Sequence, residues 1–315
     1  MLKGILKRLG IVLFVVVGAT ALVFFMLHYI PGETADVMAR YIFIGNIEID
    51  PSNEDVALIS QYYELDKPLI VQYVSWLSRS LQGDLGMSYK TGQPVLEEIM
   101  IRLPATIKLA VVSVLISLII GIPLGIVAAI RQNTIVDYIC STSAVIGVSI
   151  PNFWLALILI LVFSIYLDLT PVMGSGSVEH LILPSITLGT GMAAVIARLT
   201  RSSMLEVIRQ DYVRTARGKG LAERTIIVRH AMKNALIPVI TIIGLEMGHL
   251  LGGTVIVETI FAWPGIGKLL IDAISQRDLP LIQGCVVFIT IMYVFVNLIV
   301  DISYSIFDPR ISYER

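Results

Sequence analysis

Apolar and polar stretches alternate along this 315-residue chain in a way that sets its architecture before any single residue is considered. Apolar runs cover residues 9–30, 105–130, 138–167, 181–199, 236–260 and 282–303, each near the ~20 residues that a helix needs to cross a bilayer core. They predict an all-α integral membrane protein with six transmembrane helices. A cleaved signal peptide is the competing reading of the first run, but that run is too long and has no small-residue cleavage site before Pro31. The third run is interrupted at Ser149, Ile150, Pro151 and Asn152, where proline removes a backbone donor at membrane depth. Such a break is tolerated against other helices or a cavity, so it reads either as a pore-lining kink or as ordinary proline bending in a bundle. The fifth run holds Gly244, Gly248 and Gly252, two overlapping GxxxG steps that let a neighbouring helix approach closely.

The polar segments fix the orientation. Residues 31–100 carry eleven acidic against four basic residues, with Tyr62, Tyr63, Tyr73, Trp76 and Tyr89 and a Gly83-Asp84-Leu85-Gly86 turn, and are expected to fold as part of a small extracytoplasmic helical subdomain over 31–104. Residues 168–180 read as an outer loop, and 261–281, opening with FAWPGIG, as a re-entrant or membrane-surface turn. Fifteen of the 23 Lys and Arg lie in the N-terminus, the loops after the second and fourth runs and the tail, whereas sixteen of the 24 Asp and Glu lie opposite. The positive-inside bias therefore places both chain ends in the cytoplasm. The expected division is an N-terminal end with the first helix (1–30), the outer subdomain (31–104) and a core of five helices (105–315) that includes the 201–234 loop.

The segment 201–234 is the most informative. With Arg198 it holds nine basic and three acidic residues, too charged for lipid. Met204, Leu205, Val207 and Ile208 recur with helical spacing, and Gly218 and Gly220 then punctuate the chain. Leu221, Ile226, Ile227 and Val228 give a second short helix an apolar side, ending near Asn234 before Pro238. The pattern predicts a helix–turn–helix on the inner membrane surface with one face left for a partner.

Composition narrows the chemistry: 56% of residues are hydrophobic and 15% charged, which excludes a soluble domain, and a net charge of −1 leaves no basic field for nucleic acid. No GxxxxGK[S/T] phosphate loop occurs, since Gly218-Lys219 is followed by Gly220 and Gly267-Lys268 by Leu269. HExxH is absent, and Gly147-Val148-Ser149-Ile150-Pro151 lacks the last glycine of a nucleophile elbow. Cys140 and Cys285 sit in apolar runs and read as small buried side chains, while His28, His180, His230 and His249 are too scattered for a metal site. Charges inside the runs include Glu246 with His249, and Asp301. Glu246 and His249 together with Ser149 and Asn152 mark a candidate translocation path. Glu246 and His249 read either as a proton or cation relay or as a locally paired structural group.

The sequence DYVRTARGKGL at Asp211 to Leu221 resembles the cytoplasmic loop of ABC-importer permeases in its peptide- and nickel-transporter variant. Gly220 takes the glycine of the EAA-x3-G pattern, and Arg214, Thr215 and Ala216 take the EAA positions as the Arg-Thr-Ala version usual in that branch. LPAT at Leu103, SIPNFWLA at Ser149, HLILPS at His180, GGTVIVETIFAWPGIG at Gly252 and FDPR at Phe307 extend the resemblance over nearly the whole chain.

The resemblance implies that the 201–234 loop docks on a cytosolic ATPase subunit, with Asp211, Arg214, Arg217, Lys219 and Arg224 supplying polar contacts, Ala216 and Leu221 filling a groove, and Gly220 allowing the turn. Catalytic residues, metal ligands and cofactors are then expected to be absent from this chain, with ATP and Mg held by the partners. Those partners would be two ABC ATPase subunits, a second homologous permease subunit forming a heterodimer, an extracytoplasmic solute-binding protein and membrane lipid; the GxxxG faces of the fifth run are candidates for the contact with the second permease, with helix packing the default reading of those glycines. The setting is a bacterial or archaeal cytoplasmic membrane. The cargo implied is short peptides or nickel, free or chelated, and PNFW at Pro151 leans toward the nickel members. The rival from another class is a proton-coupled secondary transporter using Glu246 and His249.

Overall fold

The computed structural model describes residues 2–28, 52–62 and 66–307. Tyr63, the 29–51 part of the acidic segment and the tail from Asp308 lie outside the described residues, as do the side chains at His28, Gly248, His249, Gly252 and Asp301. Apart from one isolated bridge between Met87 and Pro94, regular structure among the described residues is helical. In chain order the helices are α1 (Leu2–His28), α2 (Asn53–Tyr62), α3 (Leu69–Leu81), α4 (Val95–Ile130), α5 (Ile135–Ser149), α6 (Asn152–Leu159), α7 (Glu179–Ile208), α8 (Asp211–Gly218), α9 (Met232–Ile260), α10 (Ile266–Ser275) and α11 (Leu279–Phe307). Helix α6 runs on as a wider π-type turn, Ile160–Tyr166, and α9 is entered through Glu223–Thr225 and a second such turn, Ile226–Ala231.

Four helical segments among the described residues are long and apolar enough to cross a membrane, and five when the pair α5 and α6 with its π-turn counts as one span. That pair bends by 104° at Ile150 and Pro151, where the sequence places the break. Six crossings are expected; where the first of them would lie, α1 holds a shorter apolar stretch, Phe14–Leu27.

The chain divides into two compact units, residues 1–105 with 265–294 and residues 106–264 with 295–315. In the first unit, Phe24 of α1 meets Tyr73 and Trp76 of α3 with ring centroids 5.4 and 5.9 Å apart. The Tyr73 hydroxyl donates to the Val17 carbonyl at 3.1 Å. Val95 and Ile99 at the start of α4 pack with Leu269 and Ala273 of α10 and Cys285 of α11. Asp278 caps α11, accepting the Leu281 N–H at 3.2 Å, and also takes the Ser88 hydroxyl at 2.6 Å, so a buried carboxylate pins the 83–94 turn. The stretch expected as one turn over 261–281 is thus a turn at 261–265 followed by an amphipathic helix.

In the second unit α7 is the central helix, with buried residues all along it. Its neighbour α4 comes close because Gly121 and Gly125 face it: a Cβ at Gly125 would lie 2.5 Å from both the Ala197 carbonyl oxygen and Thr200 Cβ. Lipid is as apolar as leucine, so such close approach rather than water exclusion holds the helices together. Gly244 of α9 is occupied in the same way by Val300 of α11. That glycine of the fifth run therefore packs within the chain, the default reading of it, and is not free for a contact with a second permease.

Gly125→Val should force α4 and α7 apart at a cost of about 1–3 kcal/mol for overpacking. Thermal unfolding in detergent is expected to show a clear loss, with Gly10→Ala unchanged because a Cβ there meets nothing within 4 Å.

Candidate coupling site

The basic segment is built on the foot of α7. That helix does not stop at the membrane run near Leu199 but continues through Arg201 to Ile208, so Met204, Leu205, Val207 and Ile208 are its last two turns and not a separate short helix. Met204 is buried with Ala129, Ala231 and Ala235, which explains their helical spacing. The second short helix also differs from expectation. After Glu223 the chain enters a helical path continuous with α9, and Pro238 sits inside α9 without ending it. Asn234 is likewise interior, its side-chain amide donating to the Tyr212 hydroxyl at 2.8 Å.

The separate element is α8. Gln210, with extended backbone (ψ 149°), ends α7 and starts α8, while its carbonyl accepts the N–H groups of Val213 and Arg214 at 3.0 and 3.2 Å. Asp211 in the first turn suits the positive end of the helix. Val213 and Ala216, one turn apart, are buried on Ile226 and fasten α8 to the start of the next helical path. Ala216 is thereby consumed inside the chain. An outward apolar contact falls instead to Tyr212 and Leu221, both exposed.

The end of α8 is a Schellman arrangement. Gly220 donates to the Arg217 carbonyl at 2.9 Å and Leu221 to that of Ala216 at 3.4 Å, with Gly220 at φ +74°. Glycine takes this left-handed conformation at little cost, whereas for an L-residue it is unfavourable by about 1–2 kcal/mol. Asp211, Arg214, Thr215, Arg217 and Lys219 are all exposed. Arg217 reaches across the turn to Glu223, its Nη2 donating at 2.6 Å, and this hydrogen bond holds the Glu223 carboxyl below its ordinary range. Arg224 stands exposed just beyond. Seven of the eight expected coupling residues, all but Ala216, are therefore exposed, as are Tyr212 and Glu223.

An ion pair absent from the sequence expectations underlies this surface. Asp137, expected in a short loop, is the third residue of α5 and only 2% exposed. Arg201 of α7 donates to it twice, from Nε at 2.6 Å and Nη2 at 2.7 Å. The Asn133 N–H at 3.0 Å and the Ser141 hydroxyl at 3.2 Å complete the shell. An acid and a base 64 positions apart give no local signal.

The candidate path residues fare unevenly. The Ser149 hydroxyl donates to the Val145 carbonyl at 2.8 Å, within its own helix. The Asn152 carboxamide lies beside Gly191 of α7 and Gly253 of α9, within 3.8 Å of where a Cβ on either would stand. Glu246 is half-buried on α9, and the side chain of His249 lies outside the described residues. A further carboxylate, Glu258, also belongs to the fifth run. It is fully buried near the end of α9 and accepts the Thr106 hydroxyl at 2.7 Å. An acid inside TVIVETI, with a threonine in the LPAT stretch, is a signal that the sequence offers.

Comparison with known proteins agrees with this geometry. Residues 121–313 match the family model of binding-protein-dependent transport system inner membrane components, and residues 1–110 match the N-terminal model of the same membrane components. The chain belongs to this family, and is accordingly a multi-pass inner-membrane protein and the permease component of an ABC importer. It is 40% identical over 346 residues to the dipeptide transport system permease protein DppB of Escherichia coli K12, with both chains covered in full. It is 42% identical over 343 residues to the di/tripeptide transport system permease protein DppB of Pseudomonas aeruginosa, and 41% over 317 residues to the glutathione transport system permease protein GsiC of Escherichia coli, again over 100% of each chain. Among solved structures, the MetNI methionine ABC transporter in an inward facing conformation shares the fold at a TM-score of 0.57 with 18% identity, covering 67% of this chain and 96% of that one. An amino acid ABC transporter with histidines follows at 0.54 and 14%, covering 66% and 93%.

Gly220→Val should open the end of α8, whereas Gly220→Asn, whose side chain tolerates the left-handed region, should hold it. Limited trypsin cleavage at Arg214 and Arg224 in detergent is expected to be ~10-fold faster with Gly220→Val, in line with the ~1–2 kcal/mol backbone strain, and near the parent rate with Gly220→Asn.

Proposed function

We propose that this chain is one of two membrane-spanning subunits of an ATP-driven importer of short peptides. The observation that carries the reading is the exposed helix α8, hung from the foot of α7 and closed at Gly220, in a chain whose full-length relatives are named as dipeptide, di/tripeptide and glutathione permeases. A short rigid helix presenting Asp211, Arg214 and Lys219 beside Tyr212 and Leu221 suits insertion into a groove of a cytosolic ATPase subunit. Hydrolysis belongs to that partner, which holds ATP and Mg, and this chain carries no catalytic group or cofactor of its own.

In the same reading six crossings leave both termini and the 201–234 loop in the cytosol, and the 31–104 segment outside, where a solute-binding protein delivers cargo. A second, homologous permease completes the passage, with Ser149 and Asn152 at the bent third span bordering it. Nucleotide drives the cycle because the ATPase pair binds one arrangement of the helices better than the other.

Uptake of radiolabelled alanyl-alanine in a strain deleted for this gene tests the proposal. Restoration by the chain with its ATPases and binding protein, insensitive to a protonophore while ATP is maintained, is expected. Uptake of radiolabelled nickel in place of the dipeptide would reassign the cargo, and uptake that survives ATPase removal and collapses with the proton gradient would replace the mechanism with a proton relay.

A further inference from the structure

Helix α7 is unbroken from Glu179 to Ile208, and only Arg209 and Gln210 separate it from α8. Any displacement of α8 is therefore delivered to the foot of α7. Arg201 lies seven residues above that elbow, about 10 Å along the axis at ~1.5 Å per residue. There it holds Asp137, at the opposite end of α5 from the 104° break. Farther up the same helix pair, Gly147 faces Ala194 and Thr190 at ordinary to close contact, and Ala144 packs on Ala194 and Ala197, with no charged residue in α5 beyond Asp137. Among the described residues, the one ionic attachment of α5 to α7 thus sits at the end nearest α8.

Stability alone does not account for it, because burying a matched pair gains little over well-packed apolar residues. What a bidentate fork adds is a fixed orientation: two parallel bonds resist both sliding and rotation of one helix on the other. We infer that Asp137 and Arg201 are positioning residues that transmit movement of α8 through α7 into α5, and so to the bend at Ser149–Pro151. This deepens the importer reading given above and rests on it. With the fork intact, α5 follows α7 as a lever. With it cut, ATP turnover continues while the bend no longer follows.

The test uses the complete complex reconstituted in liposomes with its ATPases and binding protein, comparing the parent with Asp137→Asn, Arg201→Lys and the exchange Asp137→Arg/Arg201→Asp. The readout is alanyl-alanine moved per ATP hydrolysed. Either single change is expected to lower this ratio at least ~10-fold in assembled complexes that still hydrolyse ATP, and the exchange to recover part of it. Arg201→Lys keeps the charge and removes only the fork, so it remains informative should Asp137→Asn fail to assemble. A ratio equal to the parent's with Arg201→Lys would overturn the inference.

A second measurement does not depend on the cargo. In a Cys140→Ala/Cys285→Ala background, labelling of Ser149→Cys by a membrane-impermeant maleimide should change with ATP in the parent and lose that response with Arg201→Lys. A response that persists overturns the inference, whereas a parent complex that shows the response yet moves no dipeptide overturns only the choice of cargo.

Discussion

A carboxylate removed from water must recover its hydration from the protein, and the Asp137–Arg201 pair shows how completely this is done at the foot of the bundle. Asp137 gives up nearly all its exposure and receives four hydrogen bonds in return, two of them charge-assisted at 2.6 and 2.7 Å. Arg201 keeps part of its side chain exposed, so the desolvation falls mainly on the acid. The arrangement ties the first turn of α5 to α7 just above the elbow from which α8 hangs. The foot of α7 is thus fixed ionically on the α5 side and by the apolar contacts of Met204 with Ala129, Ala231 and Ala235 elsewhere. The position of the exposed helix depends on both.

Higher in the second unit the constraint changes from charge to shape. Helix α7 is less apolar than α4 and α11 and yet more enclosed than either, which would be contradictory in water but is not in lipid. A helix surrounded by other helices has no need of a greasy surface. It needs small residues where neighbours touch. Gly125 opposite Ala197 and Thr200 supplies that contact, and Thr187 stays in the interior by donating back to the Leu183 carbonyl at 2.8 Å. Apolar surface is left to α4 and α5, whose Ile119 and Ile139 stand exposed.

The same logic decides what could be read from sequence. Apolar length marks the crossings, and Pro151 marks the break, because each is a local consequence of lacking water. The short helix α8 is legible as a motif since Gly220 must adopt a left-handed backbone and a Schellman end needs a glycine at that spacing. Element boundaries in the basic segment are not legible. Positive charge suggests that the membrane helix ends near Leu199, whereas Arg201 is neutralised by Asp137 and the helix continues to Ile208. Pro238 suggests a stop, but a helix flanked by others tolerates the lost bond at its first turns. Pairings such as Asp137 with Arg201 or Thr106 with Glu258 depend on which helices become neighbours, which spacing along the chain does not encode.

Carboxylates within the helical core illustrate why position in sequence is a poor guide to role. Glu246 and Glu258 share one helix and one apolar run, yet only Glu258 is fully enclosed, bonded to Thr106 beside the point where the chain turns at Phe261 to Gly265. The Trp263 N–H bonds the Glu258 backbone carbonyl at 2.8 Å, so side chain and main chain of one residue brace both a neighbouring helix and the turn after α9. An acid so placed is a bracket that attaches α4 to the end of α9. Glu246 is only half-buried and serves no comparable anchor among the described residues.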